Sequence, residues 1–524
     1  MAFVTPLRWA VFVSIALFAL RLQLAGHVGF GDAEALYICY GLHPQPAYLD
    51  HPGFVGQVAR WLGAPSPLKT HLLTAVLATA VPWIGGLAAR ATGAPWSRAA
   101  RTVLALALAP EMAVGLFGLT PDLLMATAWL GALTLALFAL SRPPSSFAAF
   151  AATLGVGALV GIATLSKVSA LLLALALAAS LGFRALRPRL RTFAPWAAAL
   201  LVLLLLAPVV LWEVQNGSPM LRHRLITTQS QAGLSFRNLG ALLGGQLVYV
   251  SPVLLVASGF VAVDLYRRRA EDAASRLLWL CTVVPGVVLA ALCLWSKVAE
   301  PHWLAPAYLP LAIHAARSER VGPKLAVASL VTGAALTLLT WLWVATELPP
   351  RLLGGLYQPK YDLANDLVAW GPGGRLLDDA VTRTALETHR LPVVVGPHWV
   401  VCAQAQAALG NRAPVGCNTP QRDDFDRWYP RSRWLDAPVV LLVYDSRFPL
   451  DPKLELPGRT VKSRSKVEVR RGGRVVRTIW VTRLDKTEGV GQLGADTWGR
   501  SPAVRTRSSS AEGSGFGVVS NVSP

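Results

Sequence analysis

Runs of apolar residues long enough to cross a bilayer, about 17 to 25 positions each, recur through the first two thirds of the chain. They fall near 7–26, 70–89, 102–119, 122–140, 148–165, 168–183, 193–213, 240–264, 277–295, 303–316 and 325–346, and the shortest reads as a broken or tilted span. Between the first two runs lies a stretch of different character, Gly31 to Pro52, GDAEALYICYGLHPQPAYLDHP, which gathers acids, aromatics and prolines. From about Pro349 charge, Gly and Pro are interspersed with short β-prone runs: LPVVVG, APVVLLVYD and KVEVRRGGRVVRTIWVTRL. Such runs predict strands in a small α/β domain, and the Gly-Gly pair in the last predicts a hairpin turn. After about Lys486, Gly, Ser, Thr and charge predict a disordered tail.

The pattern therefore predicts a transmembrane domain over 1–348 with a first outer loop at 27–68, a soluble domain over 349–485 and a tail over 486–524. The fold class expected is a polytopic α-helical membrane protein of about eleven spans with a small C-terminal α/β domain outside the membrane. Composition agrees: a mean hydropathy of +0.46 with only 15% charged residues excludes an ordinary soluble enzyme. A net charge of +20 would suggest nucleic acid in a soluble chain, but many arginines here cluster between apolar runs, which argues for topology instead.

Lys and Arg concentrate in loops that stay cytoplasmic. One set of alternate loops holds Arg90, Arg98 and Arg101; Arg142; Arg184, Arg187, Arg189 and Arg191; Arg267, Arg268, Arg269 and Arg276; and Arg317, Arg320 and Lys324. The other set is poorer: Arg60 and Lys69, Lys167, Arg222, Arg224 and Arg237, and Lys297. The first loop and everything after the eleventh run are thus expected outside. The first run carries Arg21 and many runs follow it, so it reads as an uncleaved helix rather than a signal peptide. The five cysteines form neither CxxC nor metal-ligand spacing. Cys402 and Cys417 fall in the outer domain and are expected to pair, closing a loop of about 15 residues.

In the first loop, Asp32 and Glu34 stand where a helix would begin. Capping and the helix dipole explain one acid there more easily than two. The loop adds Asp50, His51, Tyr37 and Tyr48, and Pro44 and Pro46 stiffen it. Carboxylates at a membrane surface suit general-base chemistry on a lipid-linked substrate.

EALY at 34–37 and YLDHPG at 48–53 resemble the two ends of the first outer loop in the type C (GT-C) membrane glycosyltransferases of the protein O-mannosyltransferase and aminoarabinose-transferase (ArnT-like) group. Ala33 stands where that family's base, an Asp, is usual. LTPDLL at 119–124 resembles the family's Pro-Asp motif and brings in Asp122, although Pro and Asp are what any helix start prefers. GIATLSKVSALLL at 161–173 resembles its Lys segment, with Lys167; a lone Lys there ordinarily snorkels. PVVLWEVQNGSP at 208–219 resembles a helix-exit signature and leads to Arg222, His223 and Arg224. SKVAEPHWLAPAYLPL at 296–311 resembles the segment that holds Lys297 and Glu300, with His302 where Asn is usual. PHWVVCAQAQAAL and RDDFDRWYP resemble C-terminal segments of scaffold character.

The resemblance implies transfer of a sugar from a polyprenyl-phosphate donor to a lipid, glycan or protein acceptor at the outer face, by inverting displacement. Asp32 or Glu34 would be the base, with Asp32 favoured because Gly31 leaves its backbone free to shift. Lys167 and Lys297 would bind the donor phosphate, and Asp50, His51, Asp122, Glu300, His302 and Arg222 are further candidates. No cofactor or metal ligand set is implied, and a divalent cation stays open. The expected surroundings are membrane lipids, with no nucleic acid, in a bacterial inner or plasma membrane with the active site extracytoplasmic. A transporter or flippase for a lipid-linked precursor would carry charge deep in several spans, which these runs largely lack. An inactive relative acting as a binding subunit is the reading that Ala33 keeps alive.

Overall fold

The computed structural model describes residues 6–230, 232–296, 300–450, 456 and 458–487, so the expected tail lies, beyond Thr487, outside the described residues. In chain order, α1 (Pro6–Ala25) is followed by the short α2 (Asp32–Leu42) and α3 (Phe54–Trp61), then by α4 (Pro67–Ala91), α5 (Trp96–Ala107), α6 (Pro121–Leu140), α7 (Phe147–Ser166), α8 (Leu171–Leu181) and α9 (Ala194–Gln215). α10 (Pro219–Arg222), α11 (Phe236–Tyr249), α12 (Pro252–Arg268), α13 (Ala273–Trp295), α14 (Ala305–Ala315) and α15 (Pro323–Ala345) complete the apolar part. The protein is a multi-pass integral membrane protein. Among the described residues, seven helices (α1, α4, α6, α7, α9, α13 and α15) are long and apolar enough to span by themselves.

The other four apolar runs are irregular, each for a local reason. The run at 102–119 stops as α5 at Ala107 and re-forms after Pro110 as a π-helical turn, Glu111–Gly115. The run at 168–183 shortens to α8 because the chain is extended at Lys167. The run at 240–264 is α11 and α12, bent by 97° where Ser251 takes a φ of 84° and Pro252 has no N–H to continue a helix. The run at 303–316 begins as a 3-10 turn at Pro301–Leu304 before α14. Non-helical backbone at membrane depth is tolerated only where it is buried or lines a cavity. These four breaks meet at one place, the pocket described below.

After α16 (Leu348–Leu353) and α17 (Asp366–Thr388) come β1 (Val393–Gly396), α18 (Trp399–Leu409), β2 (Val415–Cys417), α19 (Asp424–Trp428), α20 (Arg431–Leu435), β3 (Val439–Asp445), β4 (Arg459–Arg471) and β5 (Arg474–Lys486). They form one sheet in the order β2-β1-β3-β5-β4, with β1 parallel to β2 and β3, and β5 antiparallel to β3 and β4. Every residue of β1 and β3 is buried, as continuous apolar strands covered on both faces require. Gly472 and Gly473 turn the β4–β5 hairpin with φ of 59° and 79°, conformations that L side chains rarely adopt.

One core joins this domain to the first loop: Tyr37, Tyr40, Tyr48 and Val55 bury against Val401, Ala405, Leu441 and Val443. Two hydrogen bonds reinforce the junction, Gln404 Nε2 to the Phe30 carbonyl at 2.9 Å and Gly29 N to the Leu367 carbonyl at 2.6 Å. The pairing expected of Cys402 and Cys417 is absent. All five cysteines are free and buried, although these two thiols hydrogen-bond each other. Burial pushes both above the usual thiol range, which suppresses the thiolate that disulfide formation needs. Alkylation followed by mass spectrometry should therefore find both thiols unreactive in the native protein and reactive after denaturation without reductant. A linked Cys402–Cys417 peptide would contradict this arrangement.

Candidate active site

The pocket is assembled from the segment between α5 and α6, and that segment is clamped from two sides. Arg21, buried in α1, donates to the carbonyls of Met112 at 3.2 Å and Ala113 at 2.9 Å, satisfying acceptors that the π-helical turn leaves over. From the other side, Glu34 opens α2 in a capping box, its Oε2 accepting from Gly31 N at 3.3 Å. Its Oε1 accepts the Leu119 backbone N–H at 2.7 Å, and Oε2 meets His71 Nε2 at 3.1 Å. A Cβ at Gly118 would stand 3.2 Å from the Glu34 carboxyl carbon, close enough to press on this carboxylate. The Thr74 hydroxyl donates to the Phe117 carbonyl at 2.5 Å.

What this clamp positions is the start of α6. Thr120 caps the helix, Pro121 takes its first turn and Asp122 follows. Asp122 receives the Lys167 ammonium at 2.8 and 2.9 Å, and the same ammonium lies 5.5 Å from the centre of the Trp303 ring. Trp303 shares its 3-10 turn with His302, whose Nδ1 meets Glu300 Oε2 at 2.9 Å, and Tyr249 at the end of α11 packs edge-on to His302. Glu111 lies within electrostatic reach of Lys167, Asp122, Glu300 and His302.

The opposite wall is the YLDHPG turn. The Tyr48 N–H bonds the His51 carbonyl at 2.9 Å and Gly53 N bonds the Pro46 carbonyl at 2.8 Å, while a Cβ at Gly53 would meet the Gln45 carbonyl at 2.2 Å. Asp50 accepts from Arg224 at 3.1 Å and from His223 at 3.5 Å, and Arg224 Nε also holds the Asp50 carbonyl at 3.0 Å. Glu213, near the end of α9, orients that loop by accepting from Met220 N and Leu221 N, both at 3.0 Å. Burial opposes ionisation of Asp50, but Arg224 and His223 outweigh it and hold the carboxyl well below the usual range. His51 is pulled down to about 3, first by burial and then by the cations Arg224 and Lys167, so its imidazole is neutral at pH 7. Burial, with Asp50 and Asp122 nearby, raises the Tyr37 phenol well above its usual range. The two walls therefore face one another across Tyr37 and His51.

Of the residues singled out in the sequence, Asp50, His51, Asp122, Lys167, Glu300 and His302 come together here. Asp32 and Glu34 do not join them. Asp32 pairs with Arg447 at 2.5 Å, and Arg447 in turn holds Asp366 at 2.7 Å, a cluster that ties α2 to the C-terminal domain. Ala33 packs against the shared core. Arg222 is exposed on α10, and its neighbours His223 and Arg224 make the contacts. Lys297 lies outside the described residues. Sequence reasoning passed over Glu111, Tyr249 and the reach of Arg224. Glu111 carried a signal of its own, as the one acid inside the run at 102–119.

A cavity of about 740 Å³ leads away from the pocket between α5, α12, α14 and α15. Glu111, Tyr249 and His302 stand at one end and Arg98, Arg101 and Glu319 at the other, with Leu104, Met112, Val261 and Leu309 among the apolar walls between. Among the described residues no three His, Cys, Asp or Glu side chains converge as cation ligands.

Residues 70–212, the stretch that contains His71, Glu111, Asp122 and Lys167, match the family described as dolichyl-phosphate-mannose-protein mannosyltransferase. No curated protein matches the chain. Among solved structures it is similar to ArnT from Cupriavidus metallidurans in the apo state, with a TM-score of 0.60 at 16% identity over 90% of this chain and 97% of that one. The same protein bound to undecaprenyl phosphate gives a TM-score of 0.59, with the same identity and coverage. A likeness at that identity speaks to fold, and it agrees with the family match inside the membrane domain. The chain thus shares the fold of ArnT over nine tenths of its length, and within that fold residues 70–212 match the mannosyltransferase family.

Proposed function

We propose that the protein is a glycosyltransferase that moves a sugar from a polyprenyl phosphate to an acceptor hydroxyl or amine at the outer face of a plasma or inner membrane, with inversion. The observation that carries this reading is the Lys167 ammonium, held by Asp122 beside Trp303, whose neighbour His302 lines one end of the apolar cavity. A polyprenyl-phosphate sugar needs three neighbouring environments: a long apolar channel for its tail, cations for its phosphate and a polar, aromatic space for its sugar. The cavity, Lys167 with Arg224, and the surroundings of Tyr37, His51 and Trp303 supply them in that order. Lys297 is proposed as a second phosphate ligand on sequence grounds alone. The outward orientation rests on the asymmetry of basic loops.

In the reaction proposed, the acceptor loses its proton to a pocket carboxylate as its lone pair attacks the anomeric carbon from the face opposite the phosphate. The bond from that carbon to the phosphate oxygen breaks, and its electron pair stays on the polyprenyl phosphate. Lys167 and Arg224 stabilise the charge that develops there. Asp122 is the proton acceptor this geometry favours. It faces the pocket, and a phosphate that draws Lys167 away frees its oxygens. Asp32 and Glu34 are engaged by Arg447 and by Leu119 with His71. Their part in this reading is to join the domains and to position the start of α6.

Purified protein in nanodiscs, incubated with polyprenyl-phosphate sugars and candidate acceptors, should convert the donor to free polyprenyl phosphate, read by lipid mass spectrometry. No conversion with any donor, together with no donor binding, would overturn the proposal. Lys167→Ala should weaken donor binding more than Lys167→Arg, which keeps the charge but not the compact ammonium. Asp122→Asn should keep donor binding and lose roughly 10² to 10⁴ in turnover, the range for a lost general base. Asp32→Asn should lower the melting temperature while keeping most of the turnover. Abolished turnover in a folded, donor-binding Asp32→Asn protein would return the base to the first motif.

A further inference from the structure

At the ends of α6, α7 and α8 remote from Asp122 and Lys167 lies a second cavity, of about 520 Å³, closed on its far side by α9. It exists because the facing side chains are small: Ala136, Gly157, Ala174, Ala178 and Ala198 line it where larger residues would fill the space. Its rim is the 3-10 turn Arg187–Arg191. Arg189 reaches across the mouth to the carbonyls of Leu140 at 3.3 Å and Arg142 at 3.0 Å, fixing the turn over the cavity. Beside it Phe193 is 71% exposed and Trp196 is 60% exposed with its indole N–H on the Leu190 carbonyl at 2.9 Å, the arrangement of aromatic side chains at a membrane interface.

The charge around this mouth is unbalanced. Arg189 lines the cavity, Arg187 and Arg191 share its 3-10 turn, Arg142 offers it a carbonyl and Arg184 precedes the turn by three residues, while the sequence holds no Asp or Glu between Asp122 and Glu213. Elsewhere on the same end of the molecule arginines do have acids: Arg98 pairs with Glu319 at 3.3 Å, Arg268 and Arg320 with Asp264 at 3.1 and 3.5 Å, and Arg317 with Asp272 at 2.9 Å. The Arg276 guanidinium lies over the Phe183 ring, 4.9 Å from its centre, and so links the charge-balanced part of this end to the cavity's side. A turn with three arginines, and two more next to it in the chain or in contact, thus closes an apolar cavity in a stretch of sequence that supplies no anion.

We propose that this is a binding site for one anionic phospholipid of the surrounding bilayer, with an acyl chain in the cavity and the phosphate on Arg184, Arg187 and Arg191. A free anion would use the arginines and leave the cavity without an occupant of its polarity. A zwitterionic lipid would fill the cavity and leave the arginines without net countercharge. Only a lipid that carries net negative charge satisfies both. The site is separate from the Lys167 pocket, so it stands or falls independently of the reaction proposed there.

The test is native mass spectrometry of the full-length protein released from micelles that contain phosphatidylglycerol and phosphatidylcholine in equal amounts. One phosphatidylglycerol should be retained in preference. The double variant Arg187→Gln, Arg191→Gln, on the exposed turn, should weaken that retention by roughly tenfold or more, because two cations are withdrawn from a phosphate. Ala178→Trp, which fills the cavity from an exposed position on its wall, should abolish the retained lipid while the melting temperature stays within the wild-type range. Equal retention of the two lipids, or unchanged retention of phosphatidylglycerol in both variants, would overturn the proposal. So would displacement of the bound lipid by added undecaprenyl phosphate in preference to phosphatidylglycerol, which would make the cavity a second donor-lipid site.

Discussion

Between the π-helical turn after Pro110 and the first turn of α6, the chain runs through residues that belong to no helix, and the Leu119 N–H has no helical carbonyl to meet. Buried without a partner, such a group would cost about 1 to 3 kcal/mol. The Glu34 carboxylate meets it at 2.7 Å, and His71 Nε2 stands 3.1 Å from the same carboxylate. Because Leu119 is three residues from Asp122, fixing its backbone fixes where the Asp122 carboxylate emerges, and so where Lys167 is held. Arg21 does the same for the residues just after Glu111. One charge inside an apolar run, Arg21, and one from the first loop, Glu34, are thus what allow this irregular backbone to be buried.

The C-terminal domain acts on the same pocket from the other side. Tyr40 and Tyr48 stack at 3.6 Å, and the one proton of the Tyr48 hydroxyl lies between the carbonyls of Tyr40 at 2.7 Å and His43 at 2.9 Å. That folds the loop back on α2 and delivers Asp50 and His51 to the pocket. Asp424, from the RDDFDRWYP segment, accepts the Leu49 N–H at 3.2 Å, and Trp428 stacks on His43 at 4.4 Å. The first loop is therefore held by the domain that follows it in sequence by more than three hundred residues, and neither has a complete core without the other.

The apolar runs, the strands of the C-terminal domain and the Gly-Gly turn of its hairpin could be read from the sequence, because helix and strand periods are local properties. The short run at 303–316 does read as broken, as the turn at Pro301 bears out, but the breaks at Pro110, Lys167 and Ser251-Pro252 leave no such mark, since a window that averages hydropathy over a span is insensitive to one missing N–H. Asp122 and Lys167, 45 residues apart, could be paired only through the motifs that contain them. The partner of Asp32 could not be found at all: Arg447 lies 415 residues away, in a segment with no motif. Position in a loop also misled at Arg222, because it is the Glu213-held turn that decides which arginine of Arg222 and Arg224 points inward.

Three acids of the pocket are each matched with a base: Asp50 with Arg224, Asp122 with Lys167, Glu300 with His302. Bringing isolated ions into such a partly buried place would be unfavourable, whereas exchanging one anion for another on a cation already desolvated is much less so. A phosphate that takes the place of a carboxylate on Lys167 leaves the cation satisfied and turns the released carboxylate into an acceptor with free lone pairs. In the reaction proposed above, the carboxylate that holds Lys167 is the group that takes the proton once a phosphate has taken its place on the cation, which ties basicity to the presence of the lipid phosphate.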